Sequence, residues 1–283
     1  MSLIEVRNEF RRSLNNLYSV NEIDFYFKSV LRSCLDIDPI DIALRPNLEV
    51  EKNQMEILDK ILLELSEEKP LQYIIGEMSF RSVELNVNPL VLIPRPETEE
   101  LVGWVLEDYE HLERETNLVD FGTGSGCIAI SLKKEQALFS VMAVDLDESI
   151  LELVNENAKK NRVQIQTLQA DMNSLDQLEM EVEVIVSNPP YIVPNEKEEM
   201  KKNVLAFEPH QALFVPKEDP LKYYRHILIF AQHQLKSKGR IYFEINPNYL
   251  NELEGLILSF SNYTVKKRLD IFGKARMLRI EKQ

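Results

Sequence analysis

The segment Val119-Asp120-Phe121-Gly122-Thr123-Gly124-Ser125-Gly126-Cys127 decides the fold, because a hydrophobic run ends there in a loop with glycine at every second position. Glycines let the backbone turn tightly and let a ligand approach it closely. A helix predicted after the loop would place unpaired N–H groups behind it. The dinucleotide-binding pattern is not met, since Cys127 stands where its third glycine would fall, and no P-loop lysine follows. The loop alone also fits a purely structural turn.

Predicted strands and helices alternate from about residue 117 onward. Hydrophobic runs predict strands at 118–121, 140–144, 165–170, 182–187, 240–245, 263–269 and 275–279. Helical patterns fill most of the gaps, near 124–135, 147–160, 219–236 and 249–260. This order predicts an α/β fold with a mostly parallel, seven-stranded, doubly wound sheet that is covered by helices on both faces. Ligands of such sheets bind beyond the carboxyl ends of the strands.

Acidic residues end the second and third predicted strands. Asp145 follows the glycine loop by about 20 residues, and a carboxylate there suits the two hydroxyl groups of a ribose. An alternative role for Asp145 is to cap the helix predicted from 147. Asp171 is suited to the amino group of an adenine, with Met172 packing against the ring or in the core. With the glycine loop, these residues predict a nucleoside site without a pyrophosphate cradle, a description that S-adenosylmethionine (SAM) fits.

The fourth predicted strand ends in Asn188-Pro189-Pro190-Tyr191. Prolines have no N–H, so this stiff loop presents carbonyl groups, and the Asn188 side chain adds another acceptor. Two acceptors can hold one planar NH₂ group and orient its nitrogen towards a methyl donor without a strong base. Tyr191 supplies a flat face against which an amide or a base can stack. After a nucleoside-binding pattern, these residues predict methyl transfer to an amide or amino nitrogen rather than a bare turn.

Residues 1–73 are predicted to form a small helical domain, because apolar residues recur there at helical spacing. Ser19 and Glu22 are placed as a capping box. Asp38 and Pro39 are predicted to start a further helix, and Pro70 to stop the last one. No residue here looks catalytic, and packing a core of its own and docking a partner are both open roles.

Residues 74–93 are predicted to form a β-hairpin linker to a second domain at 94–283. That domain begins with Pro94-Arg95-Pro96-Glu97-Thr98. The prolines restrict the backbone, and a helix is predicted to start under acidic residues that suit its positive end. Taken alone, the segment is also compatible with a stiff linker that caps a helix.

The composition excludes several classes of protein. The 283 residues are 44% hydrophobic and 28% charged, which is typical of a globular chain with a large core. The net charge of −14 argues against nucleic acid as the main partner, because an acidic surface repels phosphates. Two distant cysteines and four scattered histidines predict neither a disulfide framework nor a metal site. With no secretory signal and no apolar run of ~18 residues, a cytoplasmic protein without membrane contact is expected.

Several stretches, spread over almost the whole chain, match one family. They are 70–77, 92–99, 120–131, 186–192, Phe207-Glu208-Pro209 with Ala212-Leu213, Tyr224-Arg225, and Phe272-Gly273-Lys274-Ala275-Arg276. With these stretches, of which 93–99 and 187–192 are highly specific in combination, the chain resembles the bacterial release factor glutamine N5-methyltransferases. It departs from the family at two places near the expected cleft. Phe214-Val215-Pro216 replaces paired glycines, and Glu244-Ile245-Asn246-Pro247 replaces Glu-Ile-Gly.

The resemblance implies a Rossmann-like, class I SAM-dependent methyltransferase domain with an N-terminal helical substrate-docking domain and a hairpin linker. It implies that the substrate is the side-chain amide of the glutamine in the Gly-Gly-Gln motif of peptide chain release factors. The residues implied to bind SAM are Gly122, Thr123, Gly124, Ser125, Gly126, Asp145, Asp171, Met172 and Asn188. The residues implied to hold the glutamine and support catalysis are Asn188, Pro189, Pro190 and Tyr191, bordered by Pro94, Arg95, Pro96, Glu97 and Thr98.

Three alternatives stay open at this point. In the first, the methyl acceptor is a glutamine of a ribosomal protein, which the same pocket chemistry would serve. In the second, the acceptor is the amino group of an adenine in DNA or RNA, and the acidity of the chain and the absence of an obvious basic recognition domain disfavour it. In the third, the chain is a binding protein that keeps the fold without catalysis, and the intact glycine loop, Asp145 and the Asn-Pro-Pro-Tyr segment oppose it.

Overall fold

The computed structural model describes residues 1–260 and 262–283, which form two compact units, Met1–Glu77 and Met78–Gln283. Each unit has a hydrophobic core of its own. Within the described residues, no helix combines the length and the apolar character that a membrane span needs.

The first unit is helical. Its helices are α1 Leu3–Leu14, α2 Val20–Leu35, α3 Asp41–Leu44, α4 Lys52–Ser66 and α5 Leu71–Ile75. The predicted capping box is confirmed at the start of α2, where the Ser19 hydroxyl accepts the N–H of Glu22 at 3.3 Å. The apolar stripes of α1, α2 and α4 meet in one core that includes Leu3, Val6, Phe10, Leu14, Ile23, Phe27, Val30, Leu31, Leu58, Ile61 and Leu65.

Two predicted helix boundaries in this unit are wrong. Asp38 Oδ1 accepts the N–H of Ile40 at 3.0 Å in a turn, and α3 begins only at Asp41. Helix α4 ends at Ser66 rather than at Pro70, and Glu68 beyond it lies in the left-handed region with a φ of 61°. Pro70 instead stands directly before α5, where its missing N–H removes no helical hydrogen bond.

The second unit contains the predicted mostly parallel sheet of seven strands. A two-stranded hairpin precedes it, made of β1 Glu77–Phe80 and β2 Val83–Asn86. The strands of the sheet are β3 Thr116–Phe121, β4 Phe139–Asp145, β5 Gln166–Gln169, β6 Val182–Ser187, β7 Leu235–Glu244, β8 Tyr263–Leu269 and β9 Ala275–Lys282. The helices are α6 Pro96–Asp108, α7 Cys127–Glu135, α8 Glu148–Lys160, α9 Lys202–Phe207, α10 His210–Leu213, α11 Lys222–Gln234 and α12 Leu250–Ser259.

The strand order β5-β4-β3-β6-β7-β9-β8 makes β3 the central strand from which the chain turns both ways. The pairings from β5 to β7 are parallel, and β9 is antiparallel to both of its neighbours. Phe121 pairs in register with Val144 on one side and with Ser187 on the other. The Ser187 hydroxyl donates to the carbonyl of Phe121 at 2.7 Å. The carboxyl ends of the central strands therefore lie side by side.

Helix α7 starts at Cys127, three residues later than the hydrophobic pattern predicts. The reason is the backbone of the loop, since Gly122, Gly124 and Gly126 all have φ between 53° and 80°. Residues in this left-handed region cannot belong to a right-handed helix, and glycine adopts it without steric cost. The loop therefore stays outside the helix, and the N–H groups of Gly122 and Thr123 donate to the carbonyl of Val144 near the end of β4, at 2.9 and 3.1 Å.

Two buried asparagines of α8 hold the hairpin strand β2. Asn157 Oδ1 accepts the N–H of Asn86 at 2.7 Å, and its Nδ2 donates to the carbonyls of Asn86 at 3.0 Å and Ser125 at 2.9 Å. Asn161 pairs in the same way with the N–H and carbonyl of Glu84, at 3.1 and 2.7 Å. These amides bond the N–H and carbonyl groups of β2 as a neighbouring strand would, at a partly buried edge of the hairpin.

Replacing Asn157 by Ala should lower the free energy of unfolding of this unit by about 2 to 4 kcal/mol, because two partly buried backbone groups of Asn86 and the buried carbonyl of Ser125 lose their partner. Asn155→Ala, at an exposed position of the same helix, is the matched control and should change it by less than about 0.5 kcal/mol. Thermal and urea unfolding measure both variants. Equal effects of the two substitutions would contradict the role assigned to Asn157.

Candidate active site

A cavity of about 260 Å³ lies at the carboxyl ends of β3, β4 and β6. Of the residues predicted to bind SAM, it is lined by Gly122, Thr123, Gly124, Ser125, Asp145, Asp171, Met172 and Asn188. Gly126 is the exception, because its Cα faces α7, where an added Cβ would stand 2.8 Å from Ile130 Cδ1. The strand ends therefore bring the glycine loop, both predicted acids and Asn188 to one concave site.

Asp145 ties the glycine loop to the end of β4. Its Oδ2 accepts the N–H of Gly124 at 2.9 Å, and its Oδ1 accepts that of Leu146 at 2.8 Å. Burial raises the pKa of the Asp145 carboxyl, and these N–H donors oppose that shift. The alternative role as a helix cap is wrong, since Asp147 caps α8 by accepting the N–H of Ser149 at 2.8 Å.

The glycine loop leaves open space on the side of the cavity. Nothing lies within 4 Å of the place where a Cβ of Gly124 would stand. At Gly122 an added Cβ would stand 3.3 Å from Met172 Cε, so the end of the methionine side chain packs against the loop. A flat apolar group can lie beside Met172 while a polar chain follows the loop backbone.

A second cavity, of about 200 Å³, adjoins the first and shares Leu92, Asn188 and Ala212 with it. The predicted acceptor residues divide between the two. Arg95, Pro189 and Tyr191 line the second cavity, whereas Pro94, Thr98 and Pro190 line the first. Pro96 and Glu97 are in neither lining and form the first turn of α6. Asn188 stands where the cavities meet.

A chain of hydrogen bonds connects Asn188 to the end of β7. Asn188 Nδ2 donates to Thr98 Oγ1 at 3.3 Å, and Thr98 Oγ1 donates to Glu244 Oε2 at 2.7 Å. Tyr191 Oη donates to the other carboxylate oxygen, Oε1, at 3.0 Å. The two residues that flank the prolines are thus held through one carboxylate.

Glu244 is a site residue that the sequence reasoning missed. Its side chain is buried, with 2% exposure, and burial raises its pKa while the hydroxyls of Thr98 and Tyr191 oppose that shift. Glu97 raises the pKa of this carboxyl further, and the positive charge of Arg276 lowers it. The sequence could have indicated this residue, because it ends β7, the strand next to the one that Asn188 follows.

A second missed residue, Glu208, anchors the segment that carries Pro94 and Arg95. This buried carboxylate accepts from Arg95 Nη2 at 2.5 Å and from the N–H of Ile93 at 3.3 Å. Phe207-Glu208-Pro209 is one of the stretches that match the family, but the contact spans more than a hundred residues, so the sequence pattern does not indicate its partner Arg95. Glu208 thereby fixes the wall that both cavities share near Leu92.

The two departures from the family pattern both contact the loop that carries Tyr191. Asn246 is buried, and its Nδ2 donates to the carbonyl of Tyr191 at 3.2 Å and to the Glu196 carboxylate at 2.9 Å. The N–H of Val215 donates to the carbonyl of Ile192 at 2.9 Å. Asn246 therefore adds a contact that glycine lacks, and the backbone at Val215 continues a bridge beside the site.

Fold and site together define a class I methyltransferase domain. A solved structure with this fold is the 16S rRNA N2 G1207 methyltransferase of T. thermophilus, in complex with AdoMet and guanosine. It aligns with a TM-score of 0.53 and 18% identity, over 71% of this chain and 47% of that one. The family model of the methyltransferase small domain matches residues 105–213, and that of the PrmC N-terminal domain matches residues 5–76.

Curated relatives match the chain over nearly its whole length. The release factor glutamine methyltransferase of Flavobacterium psychrophilum is 39% identical over 284 residues, which cover 99% of each chain. That of Bacteroides thetaiotaomicron is 38% identical over 269 residues, 95% of this chain and 96% of the relative. The chain belongs to the release factor glutamine methyltransferase family.

Asp120, at the end of β3, is a fully buried acid beneath the glycine loop. The Thr123 hydroxyl donates to its Oδ2 at 2.6 Å, but burial dominates and raises its pKa from 3.8 to about 7. The folded protein therefore holds a proton here that the unfolded chain releases at lower pH. The contribution of Asp120 to stability is consequently lost as the pH rises from about 4 to 7.

Asp120→Asn should therefore become more stable relative to the wild type as the pH rises. Between pH 5 and pH 8, the difference in free energy of unfolding should shift by about 2 kcal/mol in favour of the variant. Urea unfolding at both pH values measures it, with the exposed Glu152→Gln as control. A difference that does not change with pH would contradict the raised pKa.

Proposed function

We propose that this protein transfers a methyl group from SAM to the side-chain amide nitrogen of the glutamine in the Gly-Gly-Gln motif of peptide chain release factors. The proposal is carried by one observation: a nucleoside-type cavity and a second, smaller cavity meet at Asn188. The relatives named for this activity match the chain from end to end and support it.

The residues of the first cavity fit SAM. The Asp145 carboxylate suits the hydroxyls of a ribose, and Asp171 with Met172 suits an adenine. The open space at Gly124 leaves room for the amino acid part beside the loop. When bound, SAM supplies an electrophilic methyl group on a positively charged sulfur.

The second cavity is assigned to the glutamine side chain. Pro189 and Tyr191 line it together with Arg95 and Leu213, so a narrow chain with a planar end can enter between a ring and the proline loop. The side-chain oxygen of Asn188 and the backbone carbonyl of Pro189 are suited to accept hydrogen bonds from the two N–H groups of the amide. The assignment places the acceptor nitrogen at the junction of the two cavities.

The chemistry requires alignment more than acid or base assistance. An amide nitrogen is a weak nucleophile because its lone pair is delocalised into the carbonyl group. Acceptors that hold both of its hydrogens direct the remaining lone pair towards the first cavity, and such positioning lowers the barrier by removing rotational freedom. The nitrogen can release its proton after the new bond has formed, so no side chain has to act as a strong base.

The helical unit Met1–Glu77 is proposed to dock the protein substrate. Its match to the PrmC N-terminal domain supports this role. It also carries exposed apolar side chains, among them Phe25 and Leu44, which are 60% and 71% exposed. These side chains are available for contact with a protein surface.

The first experiment incubates the full chain with labelled SAM and an unmethylated release factor, and maps the product by mass spectrometry. One methyl group on the glutamine of Gly-Gly-Gln is expected. A methyl group on another residue, or no methyl group from protein that binds SAM, would contradict the proposal. Ribosomal proteins in a parallel reaction then test the alternative glutamine acceptor.

Two substitutions should separate turnover from cofactor binding. Asn188→Ala should lower kcat by about 100-fold or more, since an aligned acceptor is lost, and change the Kd for SAM by less than about 3-fold. Asp145→Asn should raise that Kd by about 10-fold or more, because one acceptor for the ribose is lost. Calorimetric titration and steady-state kinetics measure both.

The control is Glu148→Gln, which removes the charge of an exposed residue near Asp145 that does not line the cavity. It should change neither kcat nor the Kd for SAM. Loss of SAM affinity in Asn188→Ala with normal turnover at saturation would overturn the role given to Asn188.

A further inference from the structure

We propose that Glu244 is a positioning residue that sets the direction of the hydrogen bonds at Asn188 and thereby makes the site select a carboxamide over a carboxylate. The inference rests on the proposed function and deepens it. The residues predicted from the sequence pattern were assigned to binding, and none of them to orienting the Asn188 side chain. Glu244 does not touch the substrate side chain in this proposal and acts on it only through Thr98 and Asn188.

The direction of the bonds follows from what each group can donate. A carboxyl group that receives a hydroxyl hydrogen on each of its two oxygens donates none along these bonds. Glu244 receives the hydroxyl hydrogen of Tyr191 on Oε1 at 3.0 Å and that of Thr98 on Oε2 at 2.7 Å. Thr98 has a single hydroxyl hydrogen, so after this bond its oxygen can only accept.

The Asn188 amide must therefore turn its donor to Thr98. Its Nδ2 stands 3.3 Å from Thr98 Oγ1, which leaves Oδ1 as the atom free to face the junction of the cavities. The oxygen and nitrogen of an asparagine amide are nearly equal in size, so packing alone does not choose between the two orientations. The choice is made by the bonds that end at Glu244.

An oxygen at the junction distinguishes the two kinds of acceptor side chain. A glutamine amide offers N–H donors to Asn188 Oδ1. A glutamate carboxylate offers none, and its negative charge would stand against that oxygen. With Asn188 reversed, its Nδ2 would favour the carboxylate instead. Glu244 therefore controls the share of this selectivity that depends on the orientation of Asn188, beside the share that the fixed carbonyl of Pro189 supplies.

The test compares two release factors, one with Gly-Gly-Gln and one with Gly-Gly-Glu, for binding to the full chain. The ratio of their dissociation constants cancels the contacts made elsewhere. In the wild type the glutamate factor should bind at least about 10-fold more weakly, the effect of one unmatched buried hydrogen bond. Thr98→Val removes the link and should bring the ratio towards one, whereas Thr98→Ser, which keeps the hydroxyl, should restore it.

Glu244→Met should also lower the ratio. The thioether accepts hydrogen bonds only weakly, so nothing fixes the hydroxyl hydrogen of Thr98 and the Asn188 amide can take either orientation. Thr116→Val and Glu183→Gln are matched controls, since both change buried residues away from the cavities, and they should keep the wild-type ratio. A merely structural role of Glu244 would weaken both factors equally.

A wild-type ratio in Thr98→Val, or in folded Glu244→Met, would overturn the inference. So would a wild-type protein that binds both factors equally while it methylates glutamine, a result that leaves the proposed function intact. If the wild type neither binds the factor nor methylates it, the proposed function fails and the inference with it. Should Glu244→Met not fold, the pair at Thr98 decides.

Discussion

The side-by-side ending of parallel strands is the constraint on which the site depends. Hydrogen bonding between β3 and its two neighbours places Phe121 level with Val144 and Ser187. The residues that follow these strands are then neighbours in space, although they are far apart in sequence. Because strand ends leave backbone groups without ladder partners, the glycine loop and the Asn188 loop can turn their polar groups towards a ligand.

Buried acids shape this edge of the sheet in different ways. Asp120 and Glu244 both lose hydration, and burial raises the pKa of both carboxyls. The hydroxyl of Thr123 donates to one oxygen of Asp120, and the hydroxyls of Thr98 and Tyr191 donate to the two oxygens of Glu244. Hydroxyl donors compensate less than a full positive charge, but they fix direction, since each has only one hydrogen to give.

Local patterns in the sequence were enough to predict the seven strands of the sheet and the helices behind it, although β7 begins at Leu235, inside the helix predicted at 219–236. Strand β6 was predicted with both ends correct, because a continuous hydrophobic run ends there at the Asn-Pro-Pro segment. The start of α7 was missed, since the pattern of apolar residues does not show that Gly126 has a positive φ. Glu244 and Glu208 were missed as site residues because their partners lie 146 and 113 residues away. Such contacts exist only once the sheet has formed.

The side chain of Asn157 has a consequence for how order in the loop can be observed. It holds the backbone N–H of Asn86 in the hairpin and, with the same amide group, the carbonyl of Ser125 in the glycine loop. Protection of the Asn86 amide against hydrogen exchange therefore depends on a side chain that also fixes the loop. This single backbone proton, outside both cavities, is a natural spectroscopic reporter of whether the glycine loop is in place.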